Sequence, residues 1–393
     1  MNDKSERQIE KIIVIATIII FILLLFLKTA DSRILQEIKP SLAGLSAGCA
    51  DERAGQAVSQ ENIFQEETNL AVAKTDKDLK LDTKAELLPR GQASKRNLRV
   101  DVQISNESGT TASDILLEIP LLGDLDSPYQ ILLQESFTPE PLEINMHDYD
   151  NRTGTFKIGS LAAGTTKTVT FNYLLNVIPL TVDFSHYDST PAFSAKQYVE
   201  PAYLNPALKI ESDHPEIKAK AREATDGLTN VLDKARALFE FTIRHMSYDL
   251  DSASRNSGAL SALHNGSGVC EDYAALFVAL CRAEGIPARL VNGYTDPRGR
   301  GDVWNVAYGE TFPLTGFRHS WAEFYLEGLG WLPADPTLDK RNREFMYFAA
   351  LPQTSHLAQN YFDQPLRVRY RGGQLNVTWE EGLVGNIKKA KGS

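Results

Sequence analysis

At 393 residues the chain has room for two domains and a short appended segment, and 42% apolar with 23% charged residues is the composition of a globular protein with real cores. The formal net charge of −10, without any long basic run, excludes nucleic acid as a main partner, because backbone binding needs clustered Lys and Arg. The cysteines, Cys49, Cys270 and Cys281, are too few and too irregularly placed for a disulfide framework, and no C-x-x-C pair points to zinc or redox work, so no disulfide is expected.

Residues 12 to 27, IIVIATIIIFILLLFL, carry no charge and are bounded by Lys11 and Lys28. As a helix the run spans about 24 Å, and snorkelling lysines cover the shortfall against a hydrocarbon core of about 30 Å. The sequence predicts a membrane anchor at 12–28 behind a flank at 1–11; a cleaved signal peptide usually has a shorter apolar region, about 7–15 residues. A lipoprotein-like box at Ser46-Ala47-Gly48-Cys49 lies too far past the run, so Cys49 is read as incidental. Lys4, Arg7 and Lys11 before the span balance Lys28, Arg33 and Lys39 after it, and orientation is not set by charge. By default, a short flank and a long folded remainder place the latter on the extracytoplasmic side of the cell membrane.

Residues 29–95 are polar and weakly periodic and read as a stalk. From 96 to 185 the pattern alternates, with strands expected at 98–104, 115–119, 156–158 and 168–173 between Gly, Asn and Asp clusters. Short strands at this spacing suggest an antiparallel β-sandwich acting as scaffold or spacer. Helices follow: Asp213 is a suitable N-cap with Pro215 just inside the helix. A second helix after Gly227 carries a stripe from Val231 to Ile243. A unit at 186–385 would hold the chemistry, with Val368, Leu375 and Val377 marking a closing strand pair, and 386–393 a solvated tail.

The chemistry-bearing stretch is Gly266-Ser267-Gly268-Val269-Cys270-Glu271-Asp272 followed by an almost wholly apolar run to Gly285. It places Cys270 at a helix start behind a glycine-rich turn, where the dipole and the first N–H groups favour a thiolate and can hold an oxyanion. Cys281, inside the helix, reads as core. A thiolate needs a partner that manages protons. His319 opens the strand-like run HSWAEFYL, and the turn Glu327-Gly328-Leu329-Gly330 returns the chain to Asp335, which could orient the imidazole. The two face each other if the turn centres near residue 327, are diagonal neighbours if it centres on 328, and part if it centres on 329. An irregular hairpin is expected.

The blocks GVCEDYAALFVALCRAEGIPARLVNGY at 268–294, HSWAEFYLEGLGW at 319–331 and ADPT at 334–337 resemble the transglutaminase-like superfamily, with its papain-like Cys-His-Asp arrangement. The resemblance implies Cys270 as nucleophile, His319 as general base and acid, and Asp335 as orienter. It implies an α+β fold, a helix cluster against an antiparallel sheet, preceded here by the β-sandwich and the anchor. The implied activity is acyl transfer on protein or peptide amides through a thioester. Hydrolysis is the leaning; glutamine cross-linking is the alternative, and a catalytically silent surface interaction module is a third reading. No cofactor is implied. The 295–318 connection, with Arg298, Arg300 and Trp304, is longer than the motif needs and is either groove or lid, or an ordinary strand and loop. Tyr248 is a candidate second oxyanion donor, and Trp321 and Trp331 line the cleft unless they are packing.

His147, His186, His214, His245, His264 and His356 show no ligand spacing, so no metal is expected. Asp148-x-Asp150 resembles a fragment of a calcium loop without its later ligands. Asn106, Asn151, Asn265 and Asn376 open N-x-S/T sequons.

Overall fold

The computed structural model describes residues 91–385 apart from 124–126, 148, 150, 186, 188–200, 342–346 and 362–365. The anchor expected at 12–28, the stalk up to residue 90, Cys49, Asp148, Asp150, His186 and the tail lie outside the described residues. Among the described residues no helix is long and apolar enough to cross a membrane.

The alternating region folds as β1 (Ser94–Asn106), β2 (Ala112–Leu121), β3 (Gln130–Thr138), β4 (Glu143–Met146), β5 (Arg152–Leu161), β6 (Thr166–Val177) and β7 (Leu180–Thr181). The expected strands lie within β1, β2, β5 and β6. β3 and β4 escape that reading because neither alternates cleanly, and β4 is exposed along its whole length. Next come α1 (Pro215–Ala224), α2 (Val231–His245), β8 (Ser247–Tyr248), α3 (Ala259–Asn265), β9 (Ser267–Gly268) and α4 (Cys270–Ala283). The chain continues through β10 (Ala288–Thr295), β11 (Thr311–Pro313), β12 (Arg318–Leu326), β13 (Gly330–Ala334) and α5 (Pro336–Arg341). It ends with β14 (Ala350–Leu351), β15 (His356–Tyr361), β16 (Arg367–Arg371) and β17 (Leu375–Val384). The cap of α1 is His214, whose ring accepts from the Glu216 N–H, one residue later than expected; Pro215 holds the first helical position.

A five-stranded sheet runs β11-β17-β1-β6-β3 and a four-stranded one β16-β2-β5-β4. Alternate residues of both, among them Val100, Val102, Ile115, Leu117, Phe156, Phe171 and Leu175, share one buried core. The closing strands differ from expectation. β16 pairs with β2 and β17 pairs with β1, from Leu98↔Leu383 to Asn106↔Leu375, so they do not pair with each other. β16 and β17 are thereby sewn into sheets begun by the first described strands.

A third sheet, β13-β12-β10-β15, is backed by α4, and α1, α2 and α3 surround that helix. The expected stripe of α2 is core: Leu232, Ala235, Leu238, Phe239 and Thr242 are buried. Two of the four sequons are closed to modification. Asn151 is buried, and Asn106 is buried with its amide donating to the Thr110 and Leu161 carbonyls.

Candidate active site

Cys270 is the first residue of α4 and is partly exposed, whereas Cys281 is sealed in the core, where burial pushes its thiol well up. The turn before Cys270 is built around Asp272. Its carboxylate accepts from the N–H of Val269 at 2.9 Å, Asn256 at 3.1 Å and Ser257 at 3.2 Å, tying the 256–257 loop to the helix start. Burial raises the Asp272 carboxyl, and these three N–H groups oppose that without reversing it. A Cβ on Gly268 would stand 2.7 Å from the Asp272 side chain, which accounts for the glycine. Two carboxylates directly after the cysteine would oppose a thiolate. Asp272 is turned inward, however, and Glu271 is paired with Lys209 at 2.5 Å.

β12 and β13 form an unbroken hairpin, from Ala322↔Ala334 to Leu326↔Gly330. The turn centres on Gly328 (φ +84°), with the Leu329 N–H donating to the Leu326 carbonyl, and a third turn residue with positive φ calls for glycine. The expected irregularity is absent: a regular register makes His319 and Asp335 diagonal neighbours. Asp335 leaves the end of β13 to open α5, and the gap closes to 2.7 Å between His319 Nε2 and Asp335 Oδ2. Asp335 Oδ1 accepts from the N–H groups of Thr337 and Leu338, at 2.9 Å each.

A residue that sequence reasoning discounted completes the cluster. His356, the first residue of β15, reaches the same Asp335 Oδ2 with its Nε2 at 3.1 Å, while its Nδ1 lies 3.0 Å from Ser355 Oγ. His319, Asp335 and His356 are 3%, 0% and 1% exposed, so no bulk water screens them. Burial pushes the Asp335 carboxyl up, but the His319 charge and the hydrogen bonds from both rings outweigh it and hold the carboxyl well below the usual range. Burial lowers His356, with Asp335 pulling the other way. The three donor atoms lie within 4.8 Å of one another, and His and Asp are metal-ligand types. They are already joined directly by hydrogen bonds that require an N–H on each ring, where a metal would need a lone pair.

Behind the cluster, Trp321 stacks on His319 (centroids 6.1 Å apart) and meets His356 edge-on at 5.0 Å. Its Nε1 donates to Tyr129 Oη at 3.1 Å, and Tyr129 donates to Glu323 at 2.5 Å. Glu323 is also paired with Arg289 at 2.7 Å, both fully buried. Trp331 packs under the Arg289 guanidinium at 4.0 Å. Neither tryptophan lines a cleft; both are packing. Trp304 is likewise buried, in the core of the two large sheets, whereas Arg298 and Arg300 are exposed, Arg298 paired with Asp296 and Asp302; the 295–318 connection contains the short strand β11 and loops. Tyr248 does come to the cysteine turn, because β8 pairs in parallel with β9 and sets Tyr248 opposite Gly268.

Residues 218–336 match the family model of the transglutaminase-like superfamily, and with the fold and the His319–Asp335 pair this segment is a transglutaminase-like core. The chain is similar to an uncharacterised protein of Haemophilus influenzae, 30% identical over 141 residues, 30% of this chain and 38% of that protein. It is similar also to a protein-glutamine gamma-glutamyltransferase of Pseudomonas aeruginosa, 32% identical over 122 residues, 29% of this chain and 17% of that protein. The chain thus spans well under half the length of these relatives. Among solved structures, a candidate cysteine protease from Cytophaga hutchinsonii superposes with a TM-score of 0.52 at 17% identity, covering 78% of this chain and 95% of that one, a likeness of fold.

Proposed function

We propose that this protein is a cysteine-dependent acyl-transfer enzyme acting on protein or peptide amides, in which Cys270 attacks, His319 carries the proton and Asp335 orients His319. The observation that carries the reading is the buried 2.7 Å bond between His319 and Asp335, on the sheet against which the Cys270 helix packs. With Nε2 committed to Asp335, proton exchange with the thiol runs through Nδ1. The Cys270 thiolate adds to the carbonyl carbon, the first N–H groups of α4 and Tyr248 stabilise the oxyanion, and His319 returns the proton to the departing amine. The thioester that remains is resolved by water in the reading preferred here. Resolution by a lysine amine is the second reading, favoured by the similarity to the Pseudomonas gamma-glutamyltransferase.

In the same reading the two large sheets are a β-sandwich scaffold, built by 96–185 and closed by β11, β16 and β17 from the 186–385 segment, whose remainder is the catalytic unit. Residues 12–28 anchor the chain in the cell membrane with the enzyme on the extracytoplasmic side.

The test is to incubate the full chain, and its Cys270→Ala variant, with a mixture of unmodified peptides, with and without a biotinylated primary amine. The expected result is Cys270-dependent cleavage or deamidation in water alone. Products that form only with the amine would move the assignment to cross-linking. Indistinguishable mixtures from the two proteins would overturn the enzyme reading.

A further inference from the structure

Asp335 Oδ2 serves two imidazoles at once, at 2.7 Å and 3.1 Å. An ionised carboxylate only accepts hydrogen bonds, so both Nε2 atoms must carry a proton. For neutral His319 this leaves Nδ1 as the basic nitrogen. For His356 it leaves Nδ1 to accept from the Ser355 hydroxyl, 3.0 Å away. His356 does not take the place of His319 in the proposed exchange, because its Nδ1 is engaged by the Ser355 hydroxyl and its ring is held with Trp321 edge-on at 5.0 Å and Tyr347 at 6.1 Å.

We infer that His356 is a positioning residue of this site: a neutral imidazole that donates its Nε2–H to Asp335 Oδ2 beside His319, fixing the carboxylate and the tautomer of His319 without exchanging a proton itself. The inference rests on the Cys270–His319–Asp335 reading above. Among the described residues, the charged or titratable groups facing His356 are Asp335 at the head of α5, His319 on β12, Tyr347 after α5 and Asp296 beyond β10. Asp296 is occupied by Arg298 and the Gly301 N–H. Burial favours neutral His356, and the His319 charge acts in the same direction, so the two rings do not charge together on one carboxylate. A neutral donor on Oδ2 also takes up part of the charge that would otherwise hold the His319 imidazolium. It therefore keeps that imidazolium acidic enough to give its proton to a leaving amine.

The test is ring-¹⁵N NMR of the full chain with labelled histidine between pH 5 and 9, with Cys270 alkylation followed on the same samples. In the wild type, His356 is expected to remain in the neutral Nε2–H form throughout while His319 titrates. His356→Phe keeps a ring but loses the donor, and should raise the His319 midpoint by about 0.5–1 pH unit, the worth of one hydrogen bond. His356→Gln, which presents an N–H at the same reach, should restore a midpoint near the wild-type one. Titration of wild-type His356 in this range, a proton on its Nδ1, or an unmoved His319 midpoint in His356→Phe would overturn the inference. The wild-type tautomer decides the matter even if a variant fails to fold. Alkylation separates the two claims: rings that behave as expected beside an unactivated Cys270 would sink the enzyme reading and leave the positioning of Asp335 standing.

Discussion

With two backbone N–H groups on Oδ1 and two ring N–H groups on Oδ2, the Asp335 carboxylate has a single orientation available to it. Asparagine would keep the acceptor on one side and present an N–H₂ to two ring donors on the other. His319 would then have to shift its proton to Nδ1, the nitrogen proposed as base. Asp335→Asn should therefore slow Cys270 alkylation at neutral pH by about 10²–10⁴-fold, the scale at which a wrong tautomer disables such a triad. The same carboxyl has a stability signature. Its folded pKa lies below the unfolded value of about 3.9, so its contribution is complete above that value and fades as pH falls towards the folded one. The urea midpoint of the wild type should fall more steeply below pH 4 than that of Asp335→Asn; parallel curves would contradict the assignment of charge. Of these residues, Cys270, His319 and Asp335 are legible in the sequence because each sits at a recognisable element boundary. His356 is not, since its contact with Asp335 is made by strand pairing across the sheet and leaves no spacing between ligands to read.

At the scale of elements, the site depends on how closely β10 lies between β12 and β15. Gly293 faces His319 on one side and Ala358 on the other, at a break in the β10–β15 register. A Cβ there would lie 2.0 Å from the Leu357 carbonyl oxygen, backbone that cannot yield without moving β15 and His356. Gly293→Ala should cost about 1–3 kcal/mol, as overpacking does, and slow Cys270 alkylation as well. An unchanged denaturation midpoint and rate would show that β15 does not support the site. The hairpin was open to sequence reasoning down to a choice of turn centres, and Gly328 settled it on the diagonal register. The 295–318 connection is not: Arg298 and Trp304 look like groove residues until ion pairs to Asp296 and Asp302 account for the first and burial for the second.

Across the whole molecule the two cores are interlocked. Tyr129, at the edge of β3, belongs to the core under α4, whereas Tyr294 and Leu357 of the third sheet belong to the core of the two large sheets. Gln130 clamps β15 by exchanging hydrogen bonds with Ala358 at 2.7 and 2.9 Å, two residues from His356. The strand-rich region, expected to be a scaffold or spacer, therefore braces the back of the site. Sequence alternation marks most of that region's strands but not these contacts, because Tyr129 and Glu323 lie 194 positions apart and nothing local marks them as partners. What this support would hold, in the function proposed, is an activated cysteine. The most direct test is the pH dependence of Cys270 alkylation by a limiting electrophile, read by mass spectrometry on the full chain with His319→Ala alongside. Preferential labelling of Cys270 below pH 7, lost in the variant, is the predicted result; labelling only above pH 8, unchanged by the variant, would contradict it.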